Sequence, residues 1–268
     1  MTALRAGLRQ LADSLTMALG LALLALLCLS WTPFALLLGP VVPQPHGKRI
    51  GRGAIRTVFR IYVFLLQLLC RCRFDLKALD ELARRPGPMV LVANHPSLLD
   101  AVLLVASLPN AVCVMKAQLM HNLLLGAGSR MARYIVNDAP LTMIRSAIAE
   151  LKDGARLIIF PEGTRTTELP VGPCAATAGI IAARAGVPVD VVVIEMSSLY
   201  LGKRWPLTKP PQLPLHVRVR HVGQMQLAAR DAQRFGTEVR TLLASQLTTP
   251  AYTAPAATDE PSGDHDHR

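Results

Sequence analysis

The chain has 268 residues, 51% of them hydrophobic, which is enough for one sizeable α/β core with short additional segments. Its 29 Lys and Arg residues outnumber its 18 Asp and Glu residues, so anionic partners such as a membrane surface or an acidic carrier protein are favoured. Aromatic residues make up only 4%, and no run interleaves them with basic residues, which argues against nucleic acid. The five cysteines lack zinc or redox spacing, so we expect reduced structural thiols.

The first predicted element is an apolar helix. No charged residue occurs from Leu15 to Leu38, a run of about 24 residues or roughly 36 Å of helix, which is enough to cross a hydrocarbon core. The run is longer than the apolar part of a signal peptide, and no small-residue cleavage site follows it, so we expect an anchor and not a cleaved signal. Pro33 and the Gly39-Pro40 pair are expected to break the helix near its end.

A second, basic helix is predicted over residues 53–73. Its apolar part, Ile61 to Cys70, is too short to span a membrane alone, and arginines flank it on both sides, as in a helix lying at headgroup level. Residues 1–73 are therefore predicted to form a membrane anchor, either with a true span or as two helices in one leaflet. The basic residues from Lys48 to Arg73 place the following domain on the cytoplasmic side by the positive-inside rule.

Residues 74–247 alternate between short apolar runs and helical patterns, which predicts an α/β domain with a largely parallel sheet flanked by helices. The last strand alternates apolar and polar residues and is expected nearer an edge. The tail, 248–268, is polar and acidic and is expected to be disordered. The predicted strands are Met89–Ala93, Ala111–Met115, Tyr134–Val136, Arg156–Phe160, Val187–Ile194 and Leu215–Val222, and the predicted helices are Leu98–Ser107, Ala117–Arg133, Leu141–Lys152, Ala175–Ala185 and Leu227–Leu247.

The first polar cluster follows the strand that ends at Ala93. Asn94 and His95 stand at the carboxyl end of this strand, where ligands bind in open α/β sheets, and Asp100 falls in the first turn of the next helix. At this spacing the carboxylate can accept a hydrogen bond from one imidazole nitrogen and leave the other free to take a proton. The pattern predicts a general base with its orienting acid, although an isolated His–Asp pair is more often structural.

The second polar cluster follows the strand that ends at Phe160. Gly163 allows backbone amides to approach an anion closely, Thr164 offers a hydroxyl, and Arg165 offers a forked cation suited to phosphate. Glu162 is expected to pair with Arg165 or to bond a glycerol hydroxyl. A surface turn with a Glu–Arg ion pair is the alternative explanation.

Together these segments resemble the glycerolipid acyltransferase family, which includes bacterial 1-acyl-glycerol-3-phosphate acyltransferases. The Asn-His-x4-Asp motif of this family matches Asn94 to Asp100, and its Phe-Pro-Glu-Gly-Thr-Arg motif matches Phe160 to Arg165 without change. The middle motif keeps Lys116, but Ala139 stands where the family has an acceptor-binding Arg, and Arg130 or Arg133 are the candidates to replace it. Asp190 is inserted in the fourth motif, Val-Pro-hydrophobic-hydrophobic-Pro, which keeps one of its two prolines.

The resemblance implies a membrane-bound O-acyltransferase at the bacterial inner membrane. His95 and Asp100 would be catalytic, and Asn94, Lys116, Glu162, Gly163, Thr164 and Arg165 would bind substrate. The acyl donor would be acyl-CoA or acyl carrier protein, with no metal and no resident cofactor, and the default acceptor would be the lysophospholipid 1-acyl-glycerol-3-phosphate. Two alternatives remain: the same chemistry on a lyso-ornithine lipid, polyene or glycolipid acceptor, or a non-catalytic membrane-binding relative. A hydrolase is disfavoured because no Gly-x-Ser-x-Gly nucleophile elbow is present.

Overall fold

A computed structural model describes residues 2–206 and 209–247, with side chains from residue 7 onward. The predicted disordered tail lies outside the described residues. The helices are α1 (Thr2–Val41), α2 (Gln44–Leu69), α3 (Lys77–Arg84), α4 (Leu99–Ser107), α5 (Ala117–Met120), α6 (Gly126–Met131), α7 (Pro140–Lys152), α8 (Thr177–Ala185) and α9 (Phe235–Gln246). The strands are β1 (Cys72–Asp75), β2 (Met89–Ala93), β3 (Ala111–Met115), β4 (Ile135–Val136), β5 (Arg156–Ile159), β6 (Val189–Met196) and β7 (Leu215–Met225).

The strands form one seven-stranded sheet in the order β1-β7-β6-β2-β5-β3-β4. The five strands from β6 to β4 are mutually parallel, whereas β7 runs antiparallel to β6 and parallel to β1. The predicted fold class, a largely parallel α/β sheet flanked by helices, is therefore confirmed. β7 lies one strand from the edge, which agrees with its alternating burial. The carboxyl ends of β2, β5 and β3 meet at one edge, where both predicted polar clusters lie.

The sheet is covered on both faces, because side chains on each strand alternate between two apolar clusters. Leu91 and Ala93 face a cluster that includes residues of α2 and α4, whereas Val90 and Val92 face a cluster that includes residues of α7, α8 and α9. All five residues of β2 are buried. This central position gives the residues that follow β2 a rigid support.

The two N-terminal helices form an antiparallel hairpin across the short connection at Val42 and Pro43. The start of α1 lies beside the end of α2, where Arg71 Nη1 and Asp13 Oδ1 are 3.2 Å apart. Residues Gly7–Val41 of α1 are long and apolar enough to cross a membrane, and only 17% of the most apolar window is buried. The predicted apolar helix is thus present, but Pro33 lies within α1 and does not break it.

α2 is longer than the predicted basic helix, and one of its faces is part of the protein core. Tyr62 and Leu66 are each 1% exposed and belong to the same cluster as Leu91 of β2. The expected boundary between anchor and domain at residue 73 falls within β1. The same helix also carries exposed apolar side chains, including Ile61, Phe64 and Leu68. Within the hairpin, α2 is therefore the helix that joins the apolar α1 to the sheet.

Two predicted helices are corrected, and two elements were missed. The helix predicted over Ala117–Arg133 is interrupted after α5, where the Asn122 side chain accepts hydrogen bonds from the Leu124 and Leu125 amides and turns the chain before α6. The helix predicted from Leu227 begins only at Phe235, after turns. β1 and α3 were not predicted. The six predicted strands are present with small shifts of their ends.

Candidate active site

His95 lies immediately beyond the carboxyl end of β2, and its imidazole is oriented by Asp100. His95 Nδ1 is 2.9 Å from Asp100 Oδ2, and the aspartate side chain has no exposed surface. The Ser97 amide donates to the same oxygen at 2.7 Å. An ionised carboxylate only accepts hydrogen bonds, so in the neutral imidazole beside it Nδ1 carries the proton and Nε2 has its lone pair free. The predicted base and orienting acid are thus brought together.

Burial sets the electrostatics of this pair. Removal of Asp100 from water raises the pKa of its carboxyl, and the hydrogen bonds from His95 and Ser97 oppose that rise. The second carboxylate oxygen, Oδ1, is buried and receives no hydrogen bond from the described residues. The His95 side chain is 15% exposed and stacks on Phe160, with ring centroids 3.8 Å apart and an interplanar angle of 13°. One face of the ring is therefore covered by Phe160, and the side chain keeps a small exposed surface.

Glu162 links the turn after β5 to the turn after β2. Its Oε1 accepts hydrogen bonds from the His95 amide at 3.1 Å and from the Thr166 hydroxyl at 2.7 Å, and its Oε2 accepts one from the Gly172 amide at 3.0 Å. The Thr166 amide in turn donates to the His95 carbonyl at 2.7 Å. Glu162 is therefore not paired with Arg165, and in this state its carboxylate holds the backbone of His95.

Arg165 contacts a segment that was not expected at the site. Its Nη1 donates to the carbonyls of Leu201 and Gly202 at 2.9 and 2.8 Å. The Leu201 carbonyl also accepts from the Leu98 amide, so this segment reaches the start of α4 as well. The other guanidinium nitrogens make no hydrogen bond to the described residues and are free to meet an anion.

Three further predicted residues, Gly163, Lys116 and Asn94, have different surroundings. Gly163 has φ +65°, a left-handed conformation that favours glycine, so the backbone turns between Glu162 and Thr164. Lys116 is exposed at the carboxyl end of β3, on the same edge of the sheet as His95. Asn94 is 3% exposed, and its amide exchanges two hydrogen bonds with the Ile194 backbone, at 2.9 and 2.7 Å. Asn94 thus joins β2 to β6, and both ends of its side-chain amide are occupied by the Ile194 backbone.

Neither candidate for the missing arginine at position 139 lies against His95 or Glu162. Arg130 donates to the Met120 carbonyl, and Arg133 Nε donates to Gln44 Oε1 at 2.6 Å. Both arginines line a separate cavity at the far edge of the sheet. Sequence reasoning also missed Thr166, Ser97 and the Leu201 segment. Thr166 directly follows the second motif, so only its position next to the motif pointed to it.

The arrangement can support acyl transfer by a general base. The Nε2 atom of an imidazole whose Nδ1 is held by a buried carboxylate can accept the proton of an approaching hydroxyl. Arg165, in the turn after β5, offers unpaired donors to an anionic group. The described residues contain no group of three or more His, Cys, Asp or Glu residues arranged to hold a metal ion.

Comparison with known proteins finds similarity to acyltransferases. Residues 77–195 match the family model described as Acyltransferase, a range that includes both polar clusters. This range of the chain is therefore similar to acyltransferases, and the predicted enzyme class, an acyltransferase resembling the 1-acyl-sn-glycerol-3-phosphate acyltransferases, is confirmed.

Two curated relatives and one solved structure are similar to this chain. The chain is 27% identical to "1-acyl-sn-glycerol-3-phosphate acyltransferase BAT2, chloroplastic" of Brassica napus over 45% of its length, and it spans only 36% of that protein. It is 22% identical to the 1-acyl-sn-glycerol-3-phosphate acyltransferase of Pseudomonas aeruginosa over 66% of its length and 67% of that protein. The fold matches the 1-acyl-sn-glycerophosphate acyltransferase PlsC from Thermotoga maritima with a TM-score of 0.56 at 18% identity, over 90% of this chain and 95% of the other.

Proposed function

We propose that this protein transfers a fatty acyl group from a thioester to the hydroxyl of a lysophospholipid, with 1-acyl-glycerol-3-phosphate as the default acceptor. The observation that carries the proposal is the 2.9 Å contact between His95 Nδ1 and the buried Asp100, next to the Arg165 turn. The relatives named as 1-acyl-sn-glycerol-3-phosphate acyltransferases support the same acceptor.

The chemistry proceeds by direct transfer. His95 Nε2 takes the proton of the acceptor hydroxyl as its oxygen attacks the thioester carbonyl. The new ester C–O bond forms, the C–S bond breaks, and the departing thiolate recovers the proton from the imidazolium. Asp100 holds the ring in the required tautomer and stabilises its transient positive charge. General-base assistance of this kind contributes a factor of about 10²–10⁴ in rate.

Arg165 and Lys116 are proposed to bind the negative charges of the substrates. The unpaired guanidinium nitrogens of Arg165 suit an acceptor phosphate, and Lys116 stands on the same edge of the sheet. The donor is proposed to be acyl-CoA or an acidic acyl carrier protein, since the net charge of +11 favours both. The apolar α1 and the exposed apolar side chains of α2 support a membrane-bound enzyme. The basic residues of α2 support a cytoplasmic-facing domain at the inner membrane.

The decisive experiment is an acceptor panel. Purified enzyme in neutral micelles is incubated with labelled acyl-CoA or acyl carrier protein and with lysophosphatidic acid, lysophosphatidylglycerol, lyso-ornithine lipid or a glycolipid. Labelled phosphatidic acid is the expected product, and His95→Ala is expected to lower its formation by a factor of at least about 10² while the protein remains folded. Wild-type turnover by His95→Ala would exclude His95 as the base.

A second acceptor class is favoured by one observation. Ala139 replaces the expected acceptor-binding arginine, and Arg130 and Arg133 lie at another cavity and do not compensate for it. A different amphiphile with the same free hydroxyl would then be acylated by the same residues. Transfer to lyso-ornithine lipid or glycolipid, without transfer to lysophosphatidic acid, would establish this alternative.

A further inference from the structure

A large cavity lies between the hairpin and the far edge of the sheet, away from His95. Its volume is about 840 Å³, within the range that small-molecule sites occupy. One wall is formed by the end of α1, including Ala35 and Leu36, and the opposite wall by β4 and α7. Leu36 and the nearby Leu37 are 55% and 71% exposed. The cavity therefore lies between the long apolar helix α1 and the β4 edge of the sheet.

The polar side of this cavity carries a surplus of positive charge. Arg130 and Arg133 line it together with Asp138 and Glu150. Glu150 is already neutralised, because its Oε2 lies 2.7 Å from Arg52 Nη2 and 3.1 Å from Lys48 Nζ. Arg133 uses Nε for Gln44, and its two terminal nitrogens donate no hydrogen bond to the described residues. An anion entering the cavity thus meets two guanidinium groups and a single unneutralised carboxylate, Asp138.

The backbone of Arg133 allows its side chain to be removed without disturbing the fold. This residue follows α6 with φ +56°, the left-handed position at a helix end that glycine usually occupies. The Tyr134 amide donates to the Ser129 carbonyl at 3.0 Å, which fixes that conformation. A non-glycine residue is strained there, as it also is at Arg71, Asn110 and Leu201. Glycine would serve the turn better than arginine does.

We infer that this cavity binds an anionic phospholipid, with the phosphate against Arg133 and Arg130 and an acyl chain along the end of α1. The inference uses the proposed membrane association, because the bilayer is the source of the lipid, but it does not use the proposed chemistry at His95. An apolar wall beside paired guanidinium groups matches an amphiphile with an anionic head better than it matches a free anion. The bound lipid would join the hairpin to the edge strand.

The test counts bound phosphatidylglycerol by native mass spectrometry of the full chain released from a neutral detergent. Phosphatidylglycerol is chosen because it is not the product of the default reaction, which is phosphatidic acid. Arg133→Gly removes the guanidinium while relieving the backbone strain, so the variant should remain folded with a melting temperature at or above that of the wild type. Arg71→Gly is the matched control, since Arg71 is also left-handed, at φ 52°, and follows α2 outside the cavity.

The wild type and Arg71→Gly are expected to bind phosphatidylglycerol in preference to phosphatidylcholine, and Arg133→Gly should bind it at least about tenfold more weakly, the loss typical of a charge-assisted hydrogen bond. His95→Ala should bind it as the wild type does, which separates this site from the proposed function. Equal binding by Arg133→Gly and Arg71→Gly would overturn the inference. Inorganic phosphate competing as effectively as short-chain phosphatidylglycerol would overturn the lipid assignment.

Discussion

Two aspartates without exposed surface, Asp100 and Asp190, have opposite surroundings. Asp190 contacts His221 Nε2 at 2.8 Å, Arg85 Nη1 at 2.9 Å and the Gln224 amide at 3.3 Å. Asp100 has one oxygen bonded to His95 and Ser97 and the other without a partner among the described residues. Burial is thus compensated at Asp190 and only partly compensated at Asp100. This difference predicts opposite responses to the same substitution.

Asp100→Asn is expected to stabilise the protein at neutral pH and to lower turnover by about 10²–10⁴. Burial raises the pKa of Asp100 above its unfolded value. Between the two pKa values the folded state holds more protons than the unfolded state, so stability falls as pH rises through that window and the loss is complete above the folded pKa. Asparagine has no charge to desolvate and avoids this loss. Thermal unfolding from pH 4 to pH 8, with kcat in parallel, measures both effects.

Asp190→Asn is the control for this prediction. Asparagine keeps one accepting oxygen but offers no charge to Arg85 and His221, so the free energy of unfolding should drop by about 1–3 kcal/mol. If Asp100→Asn and Asp190→Asn lower the free energy of unfolding equally at pH 7, the burial of Asp100 does not destabilise the folded protein.

The turn that follows β5 determines where His95 stands, because Glu162 holds three donors from separate segments. Glu162→Gln replaces one accepting oxygen by an NH2 group, which must face at least one of these donors. We expect kcat to fall by about tenfold or more with a small change in the KM for the acceptor, as for a residue that positions the base. A large rise in KM at unchanged kcat would instead make Glu162 the acceptor ligand suggested by the sequence.

Thr166→Val provides the matched comparison, since it removes one of the donors to Glu162 and keeps the side-chain shape. Thr166→Val should lower kcat, as Glu162→Gln does. The fold-decrease in kcat for the double variant should be smaller than the product of the two single fold-decreases, because both substitutions break the same hydrogen-bond network. Independent, multiplying effects would argue against the network.

The sequence was sufficient to predict the two polar clusters and the six strands, because each cluster follows a β-branched apolar run and the pattern of alternation is strong. β1 has four residues and α3 has eight, which is too short for periodicity to reveal. The break before α6 depends on one side chain, Asn122, bonding two amides. The left-handed Arg133 is held by a helix-end hydrogen bond that no composition signal indicates. The roles of Asn94 and Glu162 depend on contacts across 100 and 67 residues, which spacing along the chain cannot predict.

At the scale of the molecule, α2 has one face in the protein core and one exposed apolar face. Leu66 is 1% exposed within the core cluster that contacts the sheet, whereas Leu68, two residues later, is 64% exposed on the outer face. Leu66 also lies against α1, where its Cδ2 comes within 3.0 Å of the position that a Cβ at Gly20 would take. A helix that only anchored the protein would not need such close packing on its inner face.

Leu66→Ala is therefore expected to lower the free energy of unfolding by about 2–5 kcal/mol, because it leaves a cavity between hairpin and sheet. Leu68→Ala removes the same atoms from the outer face of the same helix and should change it by no more than about 0.5 kcal/mol in neutral micelles. Thermal unfolding of both variants, followed together with acyl transfer at a fixed temperature, measures the difference. If the two substitutions had equally small effects, residues 44–69 would be an anchor independent of the catalytic domain, and the anchor-to-core connection inferred from α2 would be wrong. If only Leu66→Ala lowers stability and activity together, the hairpin is part of the folding unit that holds His95.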